Sequence, residues 1–316
     1  MDRRTPPHVR LQHLLRTLPE EIGTDRVQRL LEISDLWGAQ GDFDEAHASA
    51  AAAYDLANEI DSVHFRALAL AARAKADRHR DREEPAMMDS ASAADLFSSL
   101  AEWEFEIHSR LDVVTSALNL ELYQEAHDQA AKALAVAEGV GDEYLIGRSA
   151  LRFAHACRLL EKNHSALEHA TRARTLLHGD AQQQSLACDL IAGAHIALGA
   201  PDQALHYLEQ SMVIMEAIGR GEPPFWERLQ YARGLRLANR PAEARPILLE
   251  TIELHQDWDP NIAALGRCFL ELAQIMRALG DNADAQAELH HAWLLLEVAG
   301  TSDDAEEYHR LKAEWS

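Results

Sequence analysis

Seventeen histidines, three cysteines and a surplus of carboxylates are the material for chemistry in this 316-residue chain. Their spacing argues against most of it. His164 and His169 stand five apart, whereas metal ligands on one helix face stand three or four apart, and no cysteine or convergent carboxylate lies near them in the sequence. His290 and His291 are adjacent and so point to different sides. Cys157, Cys188 and Cys268 are odd in number, widely spaced and set in apolar surroundings. That pattern reads as buried, reduced thiols rather than a disulfide or zinc framework. No HExxH, P-loop, GxSxG or dinucleotide fingerprint occurs, and carboxylate neighbours such as Glu306 and Glu307 fall on solvated faces. The expectation is a non-enzyme with no catalytic residue, no metal and no cofactor.

Arginine is distributed more informatively. Residues 62–76, 144–160 and 228–242 hold no aspartate or glutamate, yet contain Arg66, Arg73, Lys75, Arg148, Arg152, Arg158, Arg228, Arg233, Arg236 and Arg240. The whole chain has 30 basic against 52 acidic residues, a formal net charge of −22. Such a charge opposes general attraction to nucleic acid or to an anionic membrane, so any anionic partner needs a locally basic surface.

The elements that carry these windows are helices. The chain is 47% hydrophobic but only 6% aromatic, with alanine throughout, which suits close helix packing better than sheets. Ala46, Ala86, Ala126, Ala166, Ala204, Ala244 and Ala285 recur at about 40 residues. Seven residues later stand Ala53, Ala93, Ala133, Ala173, Ser211, Thr251 and Ala292; twelve earlier stand Ser34, Ala74, Val114, Ala154, Ala192, Ala232 and Ala273. Small residues at three fixed places let two antiparallel helices approach closely, with Leu30, Ile33, Phe153, Ile191, Tyr231, Phe269 and Leu272 filling the space between units.

Helix punctuation falls between the same units: Gly139 to Asp142, Gly179-Asp180, Gly219 to Pro224, Asp257 to Asn261 and Gly300 to Ser302. Asp259 before Pro260 reads as an N-cap with a first-turn proline, and Ser302 precedes two acids placed to suit a helix dipole. Pro246 predicts a kink or a late helix start, and Pro85, after the charged stretch Arg80 to Glu84, predicts a shortened helix. Residues 8–18 predict a short helix. Residues 302–315 predict another, with Ala305, Tyr308, Leu311 and Trp315 on one face and Glu306, Glu307, Arg310 and Glu314 on the other. It either caps the array or pairs with a second copy, and capping is the preferred reading.

These three sets, with phrases such as Gly41-Asp42-Phe43-Asp44-Glu45-Ala46 and Leu198-Gly199-Ala200-Pro201-Asp202-Gln203-Ala204, resemble the tetratricopeptide repeat family over roughly residues 24–300. The units run to about 40 residues rather than 34 and lack the usual proline near position 32, so each helix should be longer by almost a turn. Longer units of this kind resemble those of bacterial sensory and regulatory regions. The resemblance implies an all-α, right-handed superhelix of about seven helical hairpins. The expected organisation is an N-terminal segment at 1–23, repeats at 24–60, 61–101, 102–140, 141–179, 180–220, 221–258 and 259–300, and a capping helix at 301–316.

In that family the first helices line a concave groove. Carrying its groove positions over residue by residue implies a binding face of Lys75, Arg78, His79, His155, Arg158, Arg233, Arg236 and Arg277, with Leu31, Leu111, Leu151, Leu229 and Leu270 as apolar pockets between the charges. Asp35 and Asp189 fall on the same face and dilute its charge. The lysine and asparagine with which chaperone-binding members clamp a carboxylate are absent, Leu31 and Asp35 standing in those places in the first unit. The expected function is a scaffold that holds an acidic peptide segment of another protein, or alternatively a peptide-responsive regulator acting on an effector in trans. Arg3 and Arg4 precede an apolar stretch interrupted by Gln12, His13 and Arg16, so no signal-peptide core forms, and no apolar run reaches ~18 residues. The expected location is the cytoplasm, with no direct nucleic-acid or membrane partner and no preference for an oligomeric state.

Overall fold

The computed structural model describes residues 6–219, 225–256, 262–299 and 302–315, and every described element is helical. The chain forms two compact units, Met1–Lys162 and Asn163–Ser316. The first holds α1 (Pro7–Thr17), a 3-10 turn (Leu18–Glu20), α2 (Gly23–Gly38), α3 (Phe43–Glu59), α4 (Val63–Arg78), α5 (Glu83–Ser99), α6 (Trp103–Asn119), α7 (Tyr123–Val140) and α8 (Glu143–Leu159). The second holds α9 (Asn163–Leu176), α10 (Ala181–Ala197), α11 (Pro201–Ile218), α12 (Phe225–Leu237), α13 (Pro241–Gln256), α14 (Ile262–Leu279), α15 (Asn282–Ala299) and α16 (Ser302–Trp315). Both are stacks of antiparallel hairpins, the all-α repeat architecture expected.

The three small-residue sets are what lets the helices pack. Every one of their members is buried, Ala46 and Ser34 at 2% and 4% exposure and most others at 0%. Serine and threonine at these places satisfy their hydroxyls locally: Ser34 donates to the Ala46 carbonyl at 2.7 Å, and Thr251 to the Ile247 carbonyl at 2.7 Å. The larger apolar residues fill between hairpins. Ile107, Leu111, Ala133, Ala137 and Leu145 join α6, α7 and α8 in the first unit; Leu229, Leu235, Leu248, Cys268, Leu272 and Ile275 join α12, α13 and α14 in the second. Within each unit, first helices touch one another, α2 with α4 and α6 with α8, α10 with α12 and α12 with α14. The first helices are therefore the inner side of each stack.

One turn geometry links nearly all these helices. A residue in the left-handed region follows each helix end, at Gly41, Asp61, Asp81, Ala101, Glu121, Gly141 and Glu161, a stride of 20 residues through the first unit, then at Gly199, Asn239 and Gly280 in the second. A 6→1 bond closes most of them: Asp42 N–H to Trp37 O at 3.1 Å, Ser62 to Ala57 at 3.0 Å, Glu102 to Phe97 at 3.0 Å, Leu122 to Ala117 at 2.8 Å and Lys162 to Cys157 at 2.8 Å. This is the Schellman arrangement, which satisfies helix-end carbonyls and reverses the chain in few residues. Asp142 and Asp180 then cap the next helix, accepting from Leu145 N–H at 2.9 Å and Gln183 N–H at 3.1 Å.

The expectation at Pro85 is corrected, and of the two readings at Pro246 the late start is excluded. α5 spans Glu83–Ser99, a full 17 residues, because Pro85 occupies its third position, where a backbone N–H has no partner inside the helix anyway. α13 begins at Pro241 and runs through Pro246 to Gln256, so the helix does not start late. The charged stretch before α5 is structural: Arg80 reaches both Asp77 at 2.8 Å and Asp44 at 2.7 Å. Gly300, the Asp259-Pro260 cap, the Gly219 to Pro224 gap beyond Gly219, and the side chains of Ser302 and Asp303 lie outside the described residues. At the C-terminal end α16 lays Tyr308 and Leu311 onto Leu270, Ala273, Leu289, Ala292 and Leu296, with Tyr308 stacked on Trp293 at 4.6 Å. Glu306, Arg310 and Glu314 face outward, while Glu307 turns in toward Gln274 at 3.4 Å. That covers the apolar side of the last hairpin.

Candidate anion-binding face

Polar contacts run from helix to helix at a stride close to one repeat. In the first unit Lys75 Nζ meets Asp35 at 3.3 Å, Arg78 Nη2 meets Asp112 Oδ1 at 2.9 Å, His64 meets Glu102 at 2.8 Å and Asn119 meets Glu83 at 2.6 Å. In the second, Arg236 holds Glu271 with both fork nitrogens and Arg267 holds Asp304 at 2.7 Å. Each links one hairpin to the next. Several of the basic residues expected to face a ligand therefore already have a carboxylate.

Of the eight expected face residues, Lys75, Arg78 and Arg236 are partners in those bridges. His79 stacks on Phe43 with ring centroids 4.4 Å apart, and it lines with Lys75 a cleft of about 30 Å³, room for one water. Arg277 donates to Asn282 Oδ1 at 2.7 Å and lies over the Trp315 ring at 5.5 Å. Arg233 is exposed on α12. His155 and Arg158 sit on α8, half-buried. Leu111, Leu151, Leu229 and Leu270 are buried in the core, so they are packing residues and not open pockets between charges.

Around His155 the first unit gathers unmatched positive charge. Tyr144, Arg148, Arg152 and His155 follow one another at three- and four-residue steps, which sets them along one face of α8. Arg148 lies over the exposed Tyr144 ring at 5.9 Å. Neither Arg148 nor Arg152 forms an ion pair with a described residue. Burial, then the neighbouring Arg148, pull the Arg152 guanidinium below its usual range, against which Asp112 acts. Burial, then Arg158 and Arg152, push His155 down to about 4, so its imidazole is neutral at physiological pH. On α6, His108 is lowered by burial and by Arg148, with Glu104 and Asp112 opposing. Two nitrogens here are buried with no hydrogen-bond partner among the described residues, Arg78 Nη1, a donor, and His155 Nδ1.

The inner face of the second unit has a different character. Asp189 on α10 is pushed up to about 6 by burial, with Glu227 of α12 adding to the shift and a hydrogen bond from Ser211 opposing it. Glu227 is raised by burial as well. Positive charge on this face is bridged or exposed, and buried charge is acidic.

Sequence reasoning found the acid-free stretch of α8 but placed only His155 and Arg158 on the face. Arg148 stands at motif position 2, one of the usual groove positions, so the signal for it was present. Arg152 stands at position 6, outside that set, and only its own burial beside Arg148 singles it out. Among the described residues no group of three or more histidine, cysteine, aspartate or glutamate side chains could hold a metal ion. The three cysteines are free and buried, and burial, with Glu271 nearby, pushes Cys268 up to about 12. No described helix is long and apolar enough to cross a membrane.

No family model and no curated protein matches the sequence. Solved structures do. The chain is similar to the quorum sensor NprR from B. thuringiensis in its apo form, with a TM-score of 0.69 and 14% identity over 92% of this chain and 81% of that one. It is similar to a signal-transduction ATPase with a tetratricopeptide repeat sensor from Pyrococcus horikoshii, with a TM-score of 0.67 and 16% identity over 90% of this chain and 43% of that one. The apo form of RapI matches with a TM-score of 0.66 and 12% identity over 86% and 97%. At these identities the likeness shows the fold, a tetratricopeptide-like helical repeat.

Proposed function

We propose that this chain is a non-catalytic, cytoplasmic interaction protein whose first unit holds an acidic segment of a partner protein against the inner face of α8. One observation carries the reading: Arg148 and Arg152 are half-buried and unbridged among the described residues, beside a neutral His155 and a His108 whose pKa burial pulls down. A desolvated guanidinium with no counter-ion is costly, and an incoming carboxylate relieves that cost while forming a bidentate bond. Lys75, Arg78, His79, Arg158, Arg233, Arg236 and Arg277 then serve as flanking or bridging residues rather than the main contacts.

The test is fluorescence anisotropy with a labelled glutamate-rich peptide. The wild-type chain should bind it, more weakly as salt rises from about 50 to 300 mM because screening shortens the reach of the arginines. The double variant R148E/R152E should lose at least roughly tenfold in affinity with an unchanged thermal melt. Equal binding by wild type and variant would sink the proposal.

A regulatory role is a second reading, supported by the names of two similar structures, a quorum sensor and a tetratricopeptide repeat sensor. In that case the same peptide also changes the radius of gyration in small-angle scattering, as ligand-driven rearrangement of a repeat array requires. A scaffold leaves the radius unchanged.

A further inference from the structure

Cations outnumber carboxylates around Arg152. Arg148 and Arg152 bring two positive charges from α8, and the carboxylate that acts on Arg152 is Asp112 of α6. Asp112 is already engaged, its Oδ1 at 2.9 Å from Arg78 Nη2. Arg158 has a contact of its own and is left out of the count. Glu104 registers at His108, toward the exposed start of α6. With His155 neutral, this face of α8 holds two uncompensated positive charges on residues one helical turn apart, and Arg78, on the far side of Asp112, keeps a buried Nη1 with no acceptor among the described residues.

A carboxylate carries one negative charge and two oxygens, so it would match one fork and leave the second unmatched. A phosphate monoester carries about −1.5 to −2 near neutral pH and offers three strongly accepting oxygens. Its charge and its acceptor count both fit. Resting on the reading that this face receives a partner segment, we infer that the group seated between Arg148 and Arg152 is the phosphoryl group of a phosphorylated side chain. Asp112 then acts as a resident counter-ion: it keeps Arg78 in place and limits affinity when no phosphoryl group is present.

Three labelled peptides with the same glycine-serine flanks, carrying serine, glutamate or phosphoserine at the central position, are titrated against the full-length chain at constant ionic strength. The phosphoserine peptide should bind at least tenfold more tightly than the glutamate peptide. R152Q should erase that preference, and D112N, which removes the competing charge, should tighten the phosphoserine peptide severalfold. The two variants move in opposite directions, so a general loss of folding cannot imitate the result. Equal affinity for glutamate and phosphoserine overturns the inference and leaves the acidic-segment reading standing. If the glutamate-rich peptide above also fails to bind, both fall. Inorganic phosphate is the competitor: displacement at concentrations near the peptide's own Kd would mean that the site takes free phosphate, which overturns a partner-borne group.

Discussion

Buried or half-buried charge without a counter-ion costs stability, so its sign and place separate the two inner faces residue by residue. Arg152 and Asp189 are the clearest instances, one in each unit. For Asp189 the consequence is a pH dependence whose sign follows from its acidity. Burial and Glu227 raise the carboxyl from 3.8 to about 6, so between these values the folded chain holds a proton that the unfolded chain has lost. Stability from this group is therefore present at low pH and is lost as pH rises through about 6. Asp189→Asn should stabilise the protein at pH 8 by something on the order of 2 kcal/mol, with the gain shrinking toward zero near pH 4. Urea unfolding at the two pH values checks it, and an equal gain at both would show that Asp189 is not the titrating group. The basic first helices were legible as acid-free windows. The bridges were not, because Lys75, Arg78 and Arg236 find their carboxylates 40, 34 and 35 residues away in sequence, across to the next hairpin.

At the scale of elements, the hairpins could be read because their contacts need small side chains at fixed places, and alanine recurring at 40 residues is hard to mistake. The turns were only partly readable. Glycine marks Gly41, Gly141, Gly199 and Gly280, but Asp61, Asp81, Ala101, Glu121 and Glu161 adopt the same left-handed conformation without that signature. Packing on both sides fixes the turn length, and the residue at that place takes the conformation whatever its type. Ala101, at φ 56°, has no short polar side chain to ease the strain. Ala101→Gly should therefore stabilise by about 1 kcal/mol, the relief of strain exceeding the entropy glycine loses on folding. A rise in Tm measures this; a fall would mean that the alanine methyl packs usefully. Pro85 departs from expectation for a related reason. Pro85 reads as a helix-shortener by residue type, whereas its position in the first turn decides what a missing N–H costs.

In the molecule as a whole, each hairpin is supported mainly by its neighbours, so damage should spread by adjacency. Ending the chain after Ala299 removes Tyr308 and Leu311 from Leu270, Leu289 and Leu296, and Asp304 from Arg267. Hydrogen exchange should then accelerate in α14 and α15, with α2 to α5 of the first unit unchanged. Uniform acceleration through all helices would instead indicate a single cooperative body.

The 20-residue stride of left-handed turns through the first unit has one more consequence. Every joint there is built alike, so any hairpin could in principle be duplicated, deleted or exchanged without redesigning the connections, and the array could change length in evolution by copying whole hairpins. The bridges do not share this freedom. Arg78 needs Asp112 at its own distance along the chain, and a copied hairpin would bring the joint but not the matching carboxylate. The backbone is thus a set of interchangeable parts, while the charged side chains give each part its address.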